Sequence, residues 1–189
     1  MQELCACIKD AVRVLGEAGP KVITAWSQQQ PVLLFTDGAC EESGRKVTHG
    51  ALLVDTTTSR YEYFGDDVPM EWADSWRQGG KRQLVGQAEI FPLLVAKVTW
   101  PDVFKGRRVI WFADNESARI AVVRGFSPSL QSSVILRKNA EADVKLGCCV
   151  WASRVPTKSN PSDAASRLDF RPYESSFVWR QPVYPSVAC

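Results

Sequence analysis

The chain has 189 residues, of which 45% are hydrophobic and 23% are charged. This composition excludes global disorder and is sufficient for one substantial hydrophobic core. The 23 basic and 21 acidic residues give a formal net charge of +2, which neither requires nor excludes a nucleic-acid partner. His49 is the single histidine of the chain, so a histidine-rich transition-metal site is excluded.

The six cysteines lack the paired C-x-x-C spacing of zinc sites. Cys148 and Cys149 are adjacent in an apolar run, which favours reduced thiols on opposite sides of a strand. No stretch reaches the roughly 18 apolar residues of a membrane helix, and residues 1–10 lack the features of a secretory signal. We therefore expect a soluble intracellular protein, cytoplasmic or nuclear, with no membrane partner.

Apolar residues near the start of the chain recur at helical spacing and predict an amphipathic helix. These residues are Leu4, Cys7, Ile8, Ala11, Val12 and Leu15. The pattern ends at Gly16, and a linker leads to Pro31, where we place the start of the main domain. Residues 1–30 are thus predicted to form a helix and a linker that precede this domain.

Three runs rich in β-branched and aromatic residues follow: "PVLLFTD" (31–37), "HGALLVD" (49–55) and "SRYEYFGD" (59–66). They predict a three-stranded antiparallel meander. The first run ends in a carboxylate, Asp37, and an Asp-Gly pair at that place is by itself typical of a turn. Residues 65–83 are polar, contain glycine and show no periodicity, so they predict a long loop or insertion.

A helix is predicted to begin near Ala88, because Pro92 is then in the first turn, where its missing N–H is tolerated. Glu89 would stand at the helix start, where the helix dipole favours an acid. "GRRVIWFAD" (106–114) predicts a strand that ends in a second aspartate, Asp114. Helices over 115–125 and 127–147 and a last strand over 148–156 follow.

The segment "NPSDAASRL" (160–168) predicts a short helix with Asn160 as N-cap, Pro161 at the first position and Asp163 in the first turn. The last twenty residues contain three prolines and several aromatic residues. They predict an extended tail over residues 170–189 that drapes over the domain.

Four acids, Asp37, Glu89, Asp114 and Asp163, stand at predicted strand ends or helix starts. Each alone is explained as a turn or capping residue. If the fold brings them to one end of a sheet, they repel one another unless a cation neutralises them. Oxygen ligands select Mg²⁺ or Mn²⁺, and Mg²⁺ is typically bound by carboxylates together with substrate phosphates. Two such ions about 4 Å apart promote in-line displacement at a phosphodiester.

Four segments carry a resemblance to a known family: "FTDGAC" (35–40), "GQAEIFPLLVA" (86–96), "VIWFADNESA" (109–118) and "SNPSDAASR" (159–167). They resemble the four signature blocks of the ribonuclease H fold, and are most similar to ribonuclease H domains of DIRS-like or gypsy-like retroelement reverse transcriptases. The resemblance spans residues 31–168. It implies an α/β fold with a five-stranded mixed sheet, three antiparallel strands plus two parallel ones, flanked by helices.

The resemblance also implies a function and a site. The family's D-E-D-D set falls on Asp37, Glu89, Asp114 and Asp163 as catalytic residues and metal ligands. The implied enzyme is a metal-dependent endonuclease that hydrolyses the RNA strand of an RNA/DNA hybrid with two Mg²⁺ ions, replaceable by Mn²⁺, and no organic cofactor. Asp37 would bridge both ions, Glu89 and Asp114 would hold one, and Asp163 the other.

The implied partners are the hybrid and a reverse transcriptase polymerase domain in the same polyprotein. Residues 1–30 would then be a connection-like segment, 31–169 the ribonuclease H-like domain and 170–189 the tail. Ser43 and Asn115 are candidates for contacts to 2′-hydroxyls in the minor groove. Basic residues that could contact phosphates are Lys81, Arg82, Lys158 and Arg167. Each of these charges is equally well explained as a solvated surface group.

The sequence departs from the family in three respects. The separation of Asp37 from Glu89 is long, which places an insertion at 65–83. Little room is left between Asp114 and Asp163 for the basic handle of many cellular members. The histidine that many members carry before the last aspartate is absent, and "TKSN" (157–160) stands in its place.

Two alternatives remain open from the sequence. One is a non-catalytic ribonuclease H-fold scaffold or nucleic-acid-binding module in a ribonucleoprotein, which the missing histidine and handle favour. The other is a proofreading-type exonuclease, although such enzymes usually carry a D-x-E pair on the first strand. Gly38 and Ala39 follow Asp37 here.

Overall fold

The structure is a computed structural model that describes residues 2–18, 20, 29–41, 44–78 and 84–187. Its helices are α1 (Gln2–Glu17), α2 (Met70–Arg77), α3 (Val85–Thr99), α4 (Pro101–Phe104), α5 (Glu116–Arg124), α6 (Leu130–Leu146) and α7 (Asp163–Ser166). Its strands are β1 (Val32–Glu41), β2 (Lys46–Asp55), β3 (Arg60–Asp67), β4 (Arg108–Ala113), β5 (Cys149–Arg154) and β6 (Val178–Trp179). No helix in these ranges is long and apolar enough to cross a membrane.

The strands form one mixed sheet in the order β5-β4-β1-β2-β3-β6. Strands β1, β2 and β3 are antiparallel neighbours, which confirms the predicted meander. Strands β4 and β5 run parallel to β1, as the predicted five-stranded sheet requires. The sheet has six strands rather than five, because two residues of the tail pair with β3 as β6.

Helices cover both faces of the sheet. Helix α3 packs against β1 and β2 on one face, where α5 and α6 join it, and α7 packs on the other face against β1, β2 and β3. The α3 face holds the larger hydrophobic cluster, which includes Trp72, Phe91 and Trp111. The α7 face holds a smaller cluster around Leu52 and Tyr173. The domain is therefore a three-layer structure with the sheet in the middle.

Part of the segment predicted as a loop over 65–83 is regular structure, so that prediction is wrong for its first part. Strand β3 continues to Asp67, and α2 follows. Trp72 and Trp76, one helical turn apart, are buried and contact the ring of Phe91. The buried face of α2 consists mainly of these two tryptophans. Because so few positions are apolar, the sequence of this segment shows no helical periodicity. Residues 79–83 lie outside the described residues.

Helix α3 begins at Val85, not near Ala88 as predicted. Pro92 is consequently inside the helix and Glu89 in its second turn. Proline at this position removes the N–H that would bond the Ala88 carbonyl. The helix tolerates the loss because its residues from Gln87 to Lys97 are all buried, so packing rather than local preference determines the helix start.

The prediction for the start of the chain is confirmed, whereas the prediction for the tail holds only in part. The first segment is a helix, which extends to Glu17, one residue past the predicted end. Arg13 of this helix donates to Glu141 of α6 at 2.6 Å. At the other end, the prediction of an extended tail over 170–189 is wrong for 171–176, which form turns; after them the tail adds β6 and continues along the domain.

The tail is anchored by buried polar groups of the domain. Arg180 bonds Glu62 in β3, whose carboxylate is only 4% exposed. Tyr184 stacks on Phe91, and its hydroxyl lies 3.1 Å from Nε2 of His49 and donates to Asp66 at 3.0 Å. Burial lowers the pKa of His49 to about 3, so the ring is neutral. Because the single hydroxyl hydrogen of Tyr184 is donated to Asp66, the tyrosine oxygen accepts from the Nε2–H of His49.

We predict that Tyr184→Phe destabilises the protein, because it leaves the buried Nε2–H of His49 without an acceptor. The expected loss in the free energy of unfolding is about 1–3 kcal/mol. The matched control is Tyr61→Phe, since Tyr61 is 39% exposed. Urea unfolding at pH 7 measures both variants, and equal losses in the two would contradict the assigned role of the tail.

Candidate active site

The parallel register of β1 and β4 places two of the acids side by side. The pairing runs from Val32–Val109 to Phe35–Phe112, and continuing it by two residues sets Asp37 opposite Asp114. Strand β4 ends at Ala113, whereas β1 continues to Glu41 with β2 alone as its neighbour. The prediction that the first strand ends at Asp37 is therefore wrong. The pairing of β1 with β4 ends two residues before Asp37, at Phe35.

Glu89 reaches the same place from α3. The helix backbone lies directly against β1 at Gly38, where a Cβ atom would overlap the Ala88 carbonyl and contact the backbone N of Glu89. Glycine is therefore required at residue 38 for this close approach. One carboxylate oxygen from each of Asp37, Glu89 and Asp114 lies within 4.8 Å of the other two.

This cluster of three acids is electrostatically strained in the protein alone. Burial and the neighbouring charges of Asp37 and Asp114 raise the pKa of Glu89 to about 8. Burial and the charges of Asp114 and Asp163 raise the pKa of Asp37 to about 6. Among the described residues, Glu89 Oε2 and Asp114 Oδ1 are buried and accept no hydrogen bond. Buried, unpartnered carboxylate oxygens in a cluster of three acids fit a hard divalent cation such as Mg²⁺ or Mn²⁺.

Two neighbouring side chains hold the cluster in place. The Ser166 hydroxyl, on α7, donates to Oδ2 of Asp37. The Asn115 side chain lies close enough to Glu89 to lower the pKa of that acid, and its carbonyl oxygen accepts from the Ala118 N–H as the N-cap of α5. Asn115 thus has two structural partners, and its contact with a substrate stays a prediction.

Asp163 lies beside the cluster of three acids rather than within it. It is the first residue of α7, and its side chain is 40% exposed. Both carboxylate oxygens lie 3.1 Å from Nε of Arg167. Its charge is still close enough to contribute to the raised pKa of Asp37. The structure therefore places a more accessible carboxylate next to a buried group of three.

The predicted capping of this short helix is wrong in its details. Ser162, not Asn160, is the N-cap residue, and Pro161 precedes it outside the helix. Asn160 instead points inward, where it donates to the Thr36 carbonyl at 3.1 Å and accepts from the Ser162 hydroxyl at 2.7 Å. The Asn160 side-chain oxygen still accepts from the Ser162 N–H at 3.2 Å, but regular helix begins only at Asp163.

The structure describes only some of the other residues predicted to contact the substrate. Lys158 is exposed in a 3₁₀ turn over Thr157–Ser159. With Asp163 it borders a cavity of about 610 Å³ on the α7 face, whose walls include Phe35 and Tyr173. Ser43, Lys81 and Arg82 lie outside the described residues.

Three residues that position the site were missed by the sequence reasoning. Ser166 follows Asp163 by three residues, and that spacing puts two side chains on one face of a helix. Gly50 and Gly65 lie inside strands, and a glycine there often marks the close approach of another backbone. These signals are present in the sequence. Only the fold, however, shows which backbone approaches the two glycines and which side chain Ser166 contacts.

Comparison with known proteins identifies the fold. No family model matches the sequence, and no curated protein matches it either. The structure is similar to RNase H1 from the halophilic archaeon Halobacterium salinarum NRC-1, with a TM-score of 0.54 and 18% identity over 76% of this chain and 99% of that one. It is also similar to the N-terminal RNase H domain of a Mycobacterium tuberculosis protein, with a TM-score of 0.50 and 12% identity over 77% and 97% of the two chains. The chain therefore has the ribonuclease H fold.

We predict that Glu89 makes the metal-free protein less stable as the pH rises. Its pKa of about 8 exceeds the ordinary value of 4.5, so its stabilising contribution is fully present below pH 4.5 and is lost as the pH rises through 8. Glu89→Gln should therefore gain about 2 kcal/mol of stability relative to wild type between pH 6.5 and 8.5.

Urea unfolding in EDTA measures this difference. Starting at pH 6.5 avoids the titration of His49, which acts in the opposite direction between its folded pKa of about 3 and its ordinary value of 6.5. The control is Glu116→Gln, because Glu116 is paired with Arg119 and its side chain is 44% exposed. A constant difference between Glu89→Gln and wild type over this pH range would contradict the prediction.

Proposed function

We propose that the protein is a metal-dependent endonuclease that hydrolyses the RNA strand of RNA/DNA hybrids. The observation that carries this proposal is the convergence of Asp37, Glu89 and Asp114 from three separate elements, with oxygen atoms within 4.8 Å of one another. The convergence occurs in a ribonuclease H fold, and two proteins similar in structure are named as RNase H1 or as an RNase H domain.

The acids would hold the metal ions as follows. Asp37, Glu89 and Asp114 would bind one Mg²⁺, and Asp37 would share a second with Asp163. Bound divalent ions lower the pKa of a water nucleophile and stabilise the leaving oxygen of a phosphodiester. Because ligands must be deprotonated, binding requires Glu89 to release a proton at neutral pH. Asp163 must likewise give up its ion pair with Arg167, which is exposed and therefore weak.

Substrate binding would use the exposed surface beside the acids. Lys158 and Arg167 flank Asp163 and are both exposed. There they can contact phosphates without desolvation of a buried charge. Lys81 and Arg82 would also contact phosphates, and Ser43 and Asn115 would contact 2′-hydroxyls. These contacts set the affinity for the hybrid, whereas the acids set the chemistry.

The wider context of the domain is also a proposal, based on the four sequence segments that resemble retroelement proteins. The domain would belong to a DIRS-like or gypsy-like reverse transcriptase and act in the cytoplasm or nucleus. Its partner in the same polyprotein would be the polymerase domain, followed by residues 1–30 as a connection.

A non-catalytic scaffold is the main competing function. The acids argue against it, because a buried cluster with raised pKa values and unpartnered oxygens costs stability unless it binds a cation. A protein that only needed the fold would gain stability by replacing these acids with neutral residues.

We predict that the purified chain cleaves a labelled RNA/DNA hybrid in Mg²⁺ or Mn²⁺, and that Asp114→Asn lowers the rate more than ~100-fold, since it removes a metal ligand. The matched control is Glu116→Gln, two residues along the chain, which should keep nearly the full rate. Single-stranded RNA and a DNA duplex of the same sequence should not be cut.

The same assay separates the alternatives. Binding of the hybrid without cleavage in either metal, by a protein shown to be folded, would favour the scaffold. Cleavage only of hybrids with a free RNA end would favour an exonuclease. Equal rates for Asp114→Asn and wild type would exclude the proposed site.

A further inference from the structure

A network of buried polar side chains lies under α7, next to the cluster of three acids. Ser166 is fully buried at the end of α7, and Ser162 is fully buried at its start. Thr48 of β2 donates to the Ser166 carbonyl at 2.5 Å. Buried hydroxyls with fixed partners at both ends of a four-residue helix hold that helix rigidly to the sheet.

Ser166 is the member of this network that touches a candidate metal ligand. Its hydroxyl donates to Oδ2 of Asp37 and lies 2.9 Å from the Asp163 carbonyl. A serine hydroxyl has a single hydrogen, and an ionised carboxylate is a stronger acceptor than a peptide carbonyl. With Asp37 ionised, the hydrogen therefore goes to Asp37, and one orientation of its carboxylate is selected.

The fold brings Ser166 to Asp37 through two glycines. Gly50 pairs with Asp37 across β1 and β2, and Gly65 pairs with Gly50 across β2 and β3. A Cβ on Gly50 would overlap the backbone of Ala165 and Ser166, and one on Gly65 would overlap the Ala165 carbonyl. The backbone of α7 thus packs directly against the backbone of β2 and β3 at the two glycines. At this short separation the Ser166 side chain reaches Asp37 on the neighbouring strand β1.

We propose that Ser166 is a positioning residue for the metal site: it fixes the carboxylate of Asp37 and ties it to α7, the helix that carries Asp163. The relative positions of Asp37 and Asp163, which are far apart in the sequence, are then fixed before any ion binds. This inference rests on the proposed function for the identity of the ligands, but its test does not depend on cleavage.

Ser162 provides a matched control for this role. It is a serine of the same helix region, it is equally buried, and its hydroxyl donates to the Asn160 side chain instead of a carboxylate. If the buried hydroxyls only stabilise the fold, Ser162→Ala and Ser166→Ala should change Mn²⁺ binding to a similar extent. A positioning role predicts that only Ser166→Ala weakens metal binding.

The experiment measures Mn²⁺ binding by the full chain, from the electron paramagnetic resonance signal of free Mn²⁺ at pH 7.5. Ser166→Ala should weaken binding roughly 10- to 100-fold, as expected for the loss of a group that orients a metal ligand. Ser162→Ala should stay within about threefold of wild type, because the Ser162 hydroxyl donates to the Asn160 side chain and touches no carboxylate. Asp37→Asn shows how weak Mn²⁺ binding becomes when the ligand itself is lost.

A second measurement uses cleavage of the hybrid. Ser166 is fully buried and cannot touch the substrate. Ser166→Ala should therefore lower kcat and raise the Mg²⁺ concentration that gives half-maximal cleavage. Its KM for the hybrid should stay within about threefold of wild type. If Ser166→Ala does not fold, Ser166→Cys fills the same space with a weak donor and should show the same defect in Mn²⁺ binding.

The outcomes separate this inference from the proposed function. Weaker Mn²⁺ binding by Ser166→Ala than by Ser162→Ala supports the positioning role, whether or not the wild type cleaves hybrids. Equal Mn²⁺ binding by the two variants overturns it, even if the wild type is an active nuclease. Absence of Mn²⁺ binding by the wild type overturns both.

Discussion

The close approach of helix backbones to bare strand backbone is the constraint on which the rest of this structure depends. Helix α3 meets β1 at Gly38 on one face of the sheet, and α7 meets β2 and β3 at Gly50 and Gly65 on the other. Gly38 follows Asp37 along β1, and Gly50 and Gly65 lie in the same cross-strand row as Asp37. A side chain at any of these glycines would push a helix outward and move its acid, either Glu89 or Asp163, away from the strand that carries Asp37.

The acidic cluster is maintained against its own electrostatics by the packing around it. Neighbouring carboxylates repel, and burial raises the pKa values of Asp37 to about 6 and of Glu89 to about 8. The hydrophobic core behind α3, with Trp72, Trp76 and Phe91, holds that helix in place despite this repulsion. A proline inside α3 is tolerated for the same reason. The carboxylates are therefore already close together in the protein alone, and a cation bound there would supply the missing positive charge.

The sequence predicts those parts of the fold that depend on local patterns. The antiparallel meander, the parallel β4 and β5 and the position of Asp114 directly after a strand all follow from runs of strand-forming residues. The start of α3 could not be predicted, because burial outweighs the local cost of Pro92. Helix α2 depends on two tryptophans that find their partners only in the folded core. The bond from Ser166 to Asp37 joins residues far apart in the chain, so no local pattern indicates it.

The tail contributes to the site more directly than its composition indicates. The Tyr173 hydroxyl donates to the Pro161 carbonyl at 2.5 Å and accepts from the Ala165 N–H at 3.0 Å, so it links the segment before α7 to the helix that carries Asp163. Further along, Arg180 is fixed to Glu62 and β6 covers part of the exposed edge of β3. The segment after α7 thus holds Asp163 from one side while Ser166 holds Asp37 from the other. Folding of the tail and assembly of the candidate metal site are consequently coupled through the same short helix.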